Sequence, residues 1–458
     1  MDILYLIFSQ AIGVVLGILK SIVLPMILSV SEFGYWQIYL LYVGYLGVLS
    51  LGFNDGLLLK YGKYDQKKLK NKNLGSIILL FLSLQILIFI TLVSFIYFLD
   101  DGAKKNLFFL ISFNIPLVGL NGVFLALFQS TNQIKKYSYF SIIDKILMII
   151  TILGMLTLDY TNVLSIIIID IITRFISVIL MFWEFKIFFY KPFKVFSRNN
   201  FLELFDNVKA GFYVLMSNLI AMLLIGYSLF LIERSMKLTS YSVYSLGIST
   251  TNILLLFIVA ASVFIFPRLS RLSLEELDYK VSSIKNLSIY LSTFIIIIYF
   301  IIHQIILIFL DQYILLLDFL PFIFLSVVVQ FEYNVVLIPY CKVIRKEKMI
   351  FLVNSIMLVF NVFITTISVI YFKSLLLTSI CIYITFLLRN FLLKFLLYKL
   401  VTKRKQNFSI IYIFSQIIFL FSIYMFSNFV YATTIYILFL VSIYLINRKN
   451  IIMLIKEI

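Results

Sequence analysis

The chain contains about fourteen long apolar stretches, and Lys and Arg collect in every second gap between them. Each stretch has roughly twenty residues, which is enough to cross a ~30 Å hydrocarbon layer as an α-helix. Hydrophobic residues make up 63% of the 458 residues, charged residues make up 13%, and the mean hydropathy is +1.09. No soluble domain of this length could bury so much apolar surface. We therefore predict an all-α, polytopic membrane protein.

The arrangement of the stretches predicts two lobes of six helices around a central cavity, followed by two further helices. We expect an N-terminal lobe at 1–189, a basic cytoplasmic connector at 190–206, a C-terminal lobe at 207–398, and two extra spans with a tail at 399–458. Transporters are often built from two such lobes, with the substrate site between them near the midplane. The predicted spans are approximately 3–30, 36–59, 75–99, 106–130, 137–158, 161–189, 207–232, 242–267, 286–310, 314–340, 349–372, 374–398, 408–426 and 428–446.

The net charge of +17 is explained by the topology. Basic residues fill alternate gaps, as in the lysine-rich segment after the second span, while acidic residues such as Asp100 and Asp101 lie in the intervening gaps. By the positive-inside rule both termini are cytoplasmic. The first span has no basic segment before it and no small-residue cleavage site, so we expect it to be retained. The basic residues thus predict contact with a membrane, and we expect no nucleic-acid partner.

Motifs for enzymatic or ATP-driven chemistry are missing from the sequence. Cys341 and Cys381 have no metal-ligand spacing, and His303 is the only histidine. There is no phosphate-cradling glycine loop and no HExxH, CxxC or GxSxG motif. Outward gaps are short, whereas a membrane glycosyltransferase or polymerase usually carries a substantial external loop. We expect no enzymatic activity, no metal and no cofactor, with a proton or sodium gradient as the alternative source of coupling energy.

The sixth span carries the clearest polar stripe. Asp170, Thr173, Arg174 and Ser177 lie at i, i+3, i+4 and i+7, and therefore share one helix face. A charge at the centre of a membrane helix costs ~2.5–3.5 kcal/mol on insertion scales, so it normally faces a partner or a cavity. Two compatible interpretations remain open. Asp170 and Arg174 form an internal ion pair, or Arg174 meets an anionic substrate while Asp170 meets a coupling cation.

Lys20 is the corresponding candidate in the first span. Gln10, Gly13, Gly17 and Lys20 follow one another along one side of the predicted helix, and Pro25 should bend the helix beyond them. Lys20 lies too deep to reach the membrane surface easily. It either contacts an anionic substrate or pairs with a carboxylate on a neighbouring helix.

Four further charged residues are candidates. Asp144 and Lys145 lie near the cytoplasmic end of the fifth span, where a solvated gate or a structural pair competes with a substrate contact. Glu332 lies near the middle of the tenth span and is a candidate carrier of a proton or sodium ion. Arg389 and Lys394 lie towards the inner end of the twelfth span, where both side chains can easily reach the membrane surface, and Arg389 is the stronger candidate for a phosphate contact.

Two short motifs carry a resemblance to a known family. The segment SEFGYWQ at 31–37, followed by LGFNDG at 51–56 and KYG at 60–62, resembles the N-terminal region of bacterial Wzx-type polysaccharide flippases. These are exporters of lipid-linked oligosaccharides in the multidrug/oligosaccharidyl-lipid/polysaccharide superfamily. From the residues alone we expect an outer turn at 32–34 and an opened helix around Asn54 and Asp55. Asp55 is either a gate residue or a partner of the basic loop that follows.

The resemblance implies a V-shaped bundle with a cationic central cavity that works by alternating access. Its cargo would be an undecaprenyl-pyrophosphate-linked oligosaccharide, moved across the bacterial inner membrane for O-antigen, capsule or another surface polysaccharide. The polymerase and other assembly proteins would then be partners. The alternatives are a cation-coupled drug exporter of the same superfamily, or a flippase for teichoic acid or a peptidoglycan precursor. The cationic candidates are Lys20, Lys145, Arg174 and Arg389, and those for ion coupling or gating are Asp55, Asp144, Asp170 and Glu332.

Overall fold

The computed structural model describes eight segments of the chain, in which the regular structure is helical and no strand occurs. The prediction of an all-α membrane protein is therefore confirmed. The helices form two compact units, Met1–Met222 and Leu223–Ile458. The described residues are 2–62, 74–98, 102–157, 162–189, 195–270, 272–397, 410–426 and 428–457.

Within its described residues, the first unit contains seven α-helices of nine residues or more, most of an eighth, and the short helix Leu24–Ile27. The helix α8 begins at Arg198, so residues 198–206 of the expected connector are helical, while 190–194 lie outside the described residues. The boundaries of the two predicted lobes stay a prediction. The helices are α1 Asp2–Ile18, α2 Val30–Tyr45, α3 Phe53–Tyr61, α4 Leu74–Tyr97, α5 Gly102–Ser130, α6 Ile134–Thr157, α7 Val163–Phe185 and α8 Arg198–Ser235.

The second unit begins within α8 and continues to the C-terminus. Its long helices are interrupted by a 3-10 segment, Asp311–Asp318, and by π-helical turns at Tyr333–Leu337 and Ile367–Tyr371. Its further helices are α9 Leu238–Leu269, α10 Leu274–Ile295, α11 Ile297–Phe309, α12 Leu320–Glu332, α13 Ile338–Val343, α14 Glu347–Thr366, α15 Leu375–Leu397, α16 Ile410–Met425 and α17 Phe429–Glu457.

The described helices have the length and the surface that a bilayer requires. Twelve are long and apolar enough to cross a membrane, a bent helix pair adds a thirteenth, and Ile411–Met425 is a shorter apolar helix. Large apolar side chains lie on the outside of the protein, among them Phe95, Val359 and Ile446 with exposed fractions of 68%, 72% and 80%. Water would penalise such a surface, whereas hydrocarbon accommodates it at little cost.

The chain between α1 and α2 differs from the expected bend and turn. A π-helical turn, Leu19–Val23, precedes Pro25, and the chain then becomes extended at Leu28. The expected outer turn at 32–34 is wrong, because these residues form the first turn of α2. Ser29 caps this helix by accepting from the backbone N–H of Glu32, while the Glu32 side chain accepts from the backbone N–H of Ser29.

The bent pair of helices opens at Leu51 and Gly52, before the predicted position, because Asn54 and Asp55 lie in the first turn of α3. The preceding helical segment ends at Ser50, Leu51 and Gly52 adopt left-handed conformations with φ of 53° and 85°, and α3 continues at an angle of 52°. A left-handed φ is strained for residues with a side chain but not for glycine. This bend directs α3 against α8.

Two glycines allow α3 and α8 to cross at backbone contact. A Cβ atom added to Gly56 would lie 1.8 Å from the carbonyl oxygen of Asn207, and one added to Gly211 would lie 1.9 Å from that of Gly52. The crossing is completed by Glu203 of α8, which accepts from Tyr61 at 2.6 Å and pairs with Lys60 at 2.7 Å. Close approach of this kind depends on small residues, as in other membrane helix pairs.

We expect Gly56→Ala to disrupt this crossing, because the new methyl group meets backbone that cannot rotate away. Overpacking of this kind typically costs ~1–3 kcal/mol. Thermal unfolding of the purified protein in detergent should show a lower Tm for Gly56→Ala. Gly44→Ala is the matched control, since nothing lies within 4 Å of its added Cβ, and its Tm should stay unchanged or rise. Equal Tm values for the two variants would contradict the close crossing.

Candidate functional site

One buried carboxylate, that of Asp170 in α7, holds two cations in the first unit. Arg174 donates from Nε to Asp170 Oδ2 at 2.7 Å, and the Lys20 ammonium lies 3.4 Å from Oδ1. Tyr39 also donates its hydroxyl to Oδ2, at 2.8 Å. The structure thus brings together three of the residues predicted from sequence, and adds Tyr39. We call Lys20, Asp170 and Arg174 the shared-carboxylate cluster.

The helices place these side chains for identifiable reasons. Asp170 and Arg174 are one turn apart on α7, so their side chains meet on one face. Lys20 lies in the π-helical turn after α1, and its ammonium is 5.1 Å from the centre of the Trp36 ring on α2. A cation over an indole face is attracted to the electrons of the ring.

Tyr39 and Asn114 were missed by the sequence analysis. Asn114 of α5 donates from Nδ2 to the Tyr39 hydroxyl at 3.2 Å, and that hydroxyl donates to Asp170. Both side chains are fully buried, which fixes the orientation of the carboxylate. The sequence shows each of them only as a polar side chain within an apolar span. It does not show the pairing, because Tyr39 lies 131 residues from Asp170 and Asn114 lies 75 residues from Tyr39.

The two cations are less buried than the carboxylate that they share. The side chains of Lys20 and Arg174 are 17% and 23% exposed, against 4% for Asp170. Asp144 of α6 interacts electrostatically with Arg174, and the Lys145 ammonium lies 3.5 Å from the Cβ position of Gly13. Lys20, Lys145, Arg174, Asp144 and Asp170 together carry one net positive charge.

The second unit contains a different ion pair. Lys394 of α15 donates to Glu332 of α12 at 2.6 Å, and the two side chains are 5% and 3% exposed. The expectation that Lys394 extends to the membrane surface is therefore wrong, because a buried carboxylate lies within its reach. Glu332 remains a candidate ion carrier, but any ion that it binds competes with the Lys394 ammonium.

Arg389 lies on α15, five residues before Lys394, and forms no ion pair with any residue in the described part of the chain. Its guanidinium stacks on Tyr333 at 3.6 Å and on Phe386 at 4.5 Å from the ring centres. The residue is only 3% exposed, and its Nε and Nη2 have no hydrogen-bond partner among the described residues. Asp55, the remaining candidate, lies half-buried in the first turn of α3, beside the glycine crossing.

Two further features limit the chemistry of the protein. Within the described residues, no group of three or more His, Cys, Asp or Glu side chains could hold a metal ion. A cavity of about 390 Å³ between α15 and α16 is lined mainly by Leu, Ile and aromatic side chains, with Gln416 among its few polar residues. Such a lining suits hydrocarbon better than phosphate.

The sequence places the protein in a family. A model of the family described as polysaccharide biosynthesis protein matches residues 1–273, which is more than half of the chain. The chain belongs to this family. The match covers all of the first unit, including the shared-carboxylate cluster. No curated protein matches the chain.

Solved structures of transporters share the fold of this family member. A lipid II flippase, MurJ, in an inward closed conformation has a TM-score of 0.65 at 16% identity, covering 97% of this chain and 98% of that one. An inward-facing multidrug resistance MATE transporter of the MOP superfamily has a TM-score of 0.58 at 13% identity, with coverages of 92% and 96%. A MOP superfamily transporter from Pyrococcus furiosus has a TM-score of 0.50 at 13% identity, with coverages of 91% and 95%. These similar structures are transporters and flippases, not enzymes.

We expect Asp170→Asn to destabilise the first unit, because Lys20 and Arg174 then repel each other without a shared carboxylate. Breaking a fully buried pair costs ~3–5 kcal/mol, and partial exposure of the two cations reduces this to about 1–3 kcal/mol. Thermal unfolding in detergent measures the loss. Glu184→Gln is the control, since its pair with Lys136 is much more exposed and should contribute less than about 1 kcal/mol. A smaller loss for Asp170→Asn than for Glu184→Gln would contradict the shared-carboxylate cluster.

We expect Glu332 and Lys394 to show strong coupling in a double-mutant cycle. Glu332→Gln or Lys394→Met alone leaves a buried charge unpaired and should cost ~3–5 kcal/mol. The double variant removes both charges, so it should be more stable than the sum of the single losses predicts, by ~0.5–3 kcal/mol. Unfolding free energies of the four proteins give this coupling. Additive losses would show that the pair does not form in the membrane protein.

Proposed function

We propose that this protein is a flippase that moves an undecaprenyl-pyrophosphate-linked oligosaccharide repeat unit from the cytoplasmic to the outer leaflet of a bacterial inner membrane. The observation that carries this proposal is the shared-carboxylate cluster, in which Lys20 and Arg174 keep part of their surface exposed around one buried carboxylate. Membership in the polysaccharide biosynthesis protein family supports the pathway. The similarity in fold to a lipid II flippase supports lipid-linked cargo.

The charges of the cluster fit a diphosphate. Arginine binds phosphate with two parallel hydrogen bonds, whereas lysine contributes a compact point charge. Arg174 uses only Nε to reach Asp170 in the bonds that the structure shows, and the Lys20 ammonium is at the long distance of 3.4 Å. In this proposal the phosphates of the cargo take up the two cations while Tyr39 continues to hold Asp170. The cations therefore stay compensated before and after binding.

The direction of transport follows from the membrane potential. Each elementary charge that crosses 100 mV changes the free energy by about 2.3 kcal/mol, so moving about two negative charges outwards releases roughly 4–5 kcal/mol. A proton or sodium ion bound at Asp170 or Glu332 could add to this energy. Alternating access, with both termini on the cytoplasmic side, is the mechanism that we propose for the movement.

A cation-coupled drug exporter is the second candidate, because a multidrug transporter has the same fold. Such a protein binds cationic or aromatic compounds, and an acidic or neutral site serves it better than two exposed cations. The net positive charge near Lys20 and Arg174 therefore favours the anionic cargo. Flippases for teichoic acid or a peptidoglycan precursor share the diphosphate chemistry and differ in the sugars that they carry.

We expect Lys20→Ala and Arg174→Ala to reduce export at least about tenfold, since each removes a charge that is proposed to contact the diphosphate. Arg174→Lys should retain partial activity if a point charge is sufficient. The measurement is the accumulation of lipid-linked oligosaccharide inside the cell and the loss of surface polysaccharide, at equal protein levels.

Two comparisons make this experiment decisive. Lys136→Ala also removes a basic residue, but that side chain is 45% exposed and pairs with Glu184, so export should remain normal. Drug sensitivity of the same strains distinguishes the alternative function. Normal export with both Lys20→Ala and Arg174→Ala, or drug sensitivity without oligosaccharide accumulation, would refute the proposed flippase.

A further inference from the structure

Arg389 is a buried cation that has no counter-ion among the residues that the structure describes. It is 3% exposed, and no ion pair among the described residues includes it. An unpaired charge in a medium of low polarity is strongly disfavoured, and proteins normally place an opposite charge beside it. Three other described cations, Lys20, Arg174 and Lys394, show the contrast, since each pairs with a carboxylate.

The free hydrogen-bond donors of Arg389 form one edge of its guanidinium. Two aromatic rings, Tyr333 and Phe386, contact the planar group. Stacking of this kind leaves the N–H bonds in the plane, and the unsatisfied atoms are Nε and Nη2. These two nitrogens point their N–H bonds in parallel on the same side, which is the geometry that binds two oxygens of a phosphate or carboxylate group.

The helix beside Arg389 carries a second unsatisfied donor. Gln330 lies on α12 one turn before Tyr333, so the two share a helix face. It is 7% exposed, and its Nε2 has no hydrogen-bond partner among the described residues. Tyr333 itself donates to Asn354 at 2.8 Å and begins the π-helical turn Tyr333–Leu337. Single π-helical turns inside α-helices occur frequently at functional sites.

We infer that Arg389 forms a second anion-binding site, within the second unit, that takes one phosphoryl group along the Nε–Nη2 edge. Tyr333 and Phe386 hold the guanidinium flat, so the edge is oriented before the anion arrives. This inference rests on the proposed function for the biological source of the anion, which would be the diphosphate of the lipid-linked cargo. Free phosphate offers the same oxygens. Anion binding is measured separately from export, so the two proposals can fail independently.

A purely structural role for Arg389 makes opposite predictions. If the guanidinium serves only to stack on the two rings, Arg389→Met should lower the Tm, and phosphate should not affect the wild-type protein. If the site is an empty anion site, Arg389→Met removes an uncompensated charge and should raise the Tm in buffer without phosphate or chloride. The same substitution should abolish the stabilisation that an anion gives.

The experiment is thermal unfolding of the full chain in neutral detergent, in low-salt buffer without phosphate, chloride or carboxylate anions, with inorganic phosphate or a short-chain prenyl diphosphate added. Ligands that bind only the folded protein raise its Tm in proportion to the logarithm of their concentration once the site is filled. We expect wild-type protein to gain about 2 °C or more at saturation. Arg389→Met should lose this part of the gain, and Arg389→Lys should lose most of it, because lysine retains the charge without the two-donor edge.

Arg234→Met is the matched control, because it makes the same chemical change at an exposed position and should leave both the Tm and the anion effect unchanged. If prenyl diphosphate raises the Tm more than inorganic phosphate does, the site is assigned to lipid-linked cargo. If the two anions raise the Tm equally, the site is assigned to free phosphate. Both results support the inference. No gain in the wild-type protein, or an undiminished gain in Arg389→Lys and Arg389→Met, overturns it. If Arg389→Met does not fold, the comparison of wild type with Arg389→Lys decides the question.

Discussion

The scarcity of counter-charge inside a membrane protein controls the arrangement of its polar groups. A cation in hydrocarbon needs a carboxylate, a hydrogen-bond acceptor or water, and few of these are available among apolar helices. In the first unit a single carboxylate, Asp170, serves Lys20 and Arg174 and also accepts from Tyr39. Four segments of the chain therefore meet at this point, because the π-helical turn after α1 and the helices α2, α5 and α7 each contribute a side chain.

The degree of charge pairing distinguishes three basic sites among the described helices. The single negative charge of Glu332 balances the single positive charge of Lys394, and both side chains are almost completely buried. This pair is therefore poorly available to a ligand. Asp170 is shared by two cations that remain partly exposed, and an arriving anion can replace part of its interaction. Arg389 contacts the rings of Tyr333 and Phe386, and no ion pair among the described residues includes it. The same residue types thus act differently because their neighbours compensate them to different extents.

Periodicity along single helices predicted much of the shared-carboxylate cluster and little of the ion pair between Glu332 and Lys394. Asp170 and Arg174 share a face of one helix, so their pairing could be found from the spacing alone. Lys20 was recognised because a charge deep in an apolar span is costly. The Glu332–Lys394 pair joins residues 62 apart, and only the packing of α12 against α15 reveals it. The segment at 32–34 was misjudged because a capping serine at Ser29, outside the motif, starts the helix earlier.

The π-helical turns have a geometric consequence for the charged groups beside them. Such a turn contains one residue more than an ordinary helical turn, and one residue of an α-helix corresponds to about 100° of rotation about the axis. Lys20 lies inside one of these turns, and Tyr333 begins another. If the extra residue of either turn moves along its helix, the side chains between its old and new positions rotate about the helix axis by about 100° and meet different neighbours. The ends of the helix remain where they are.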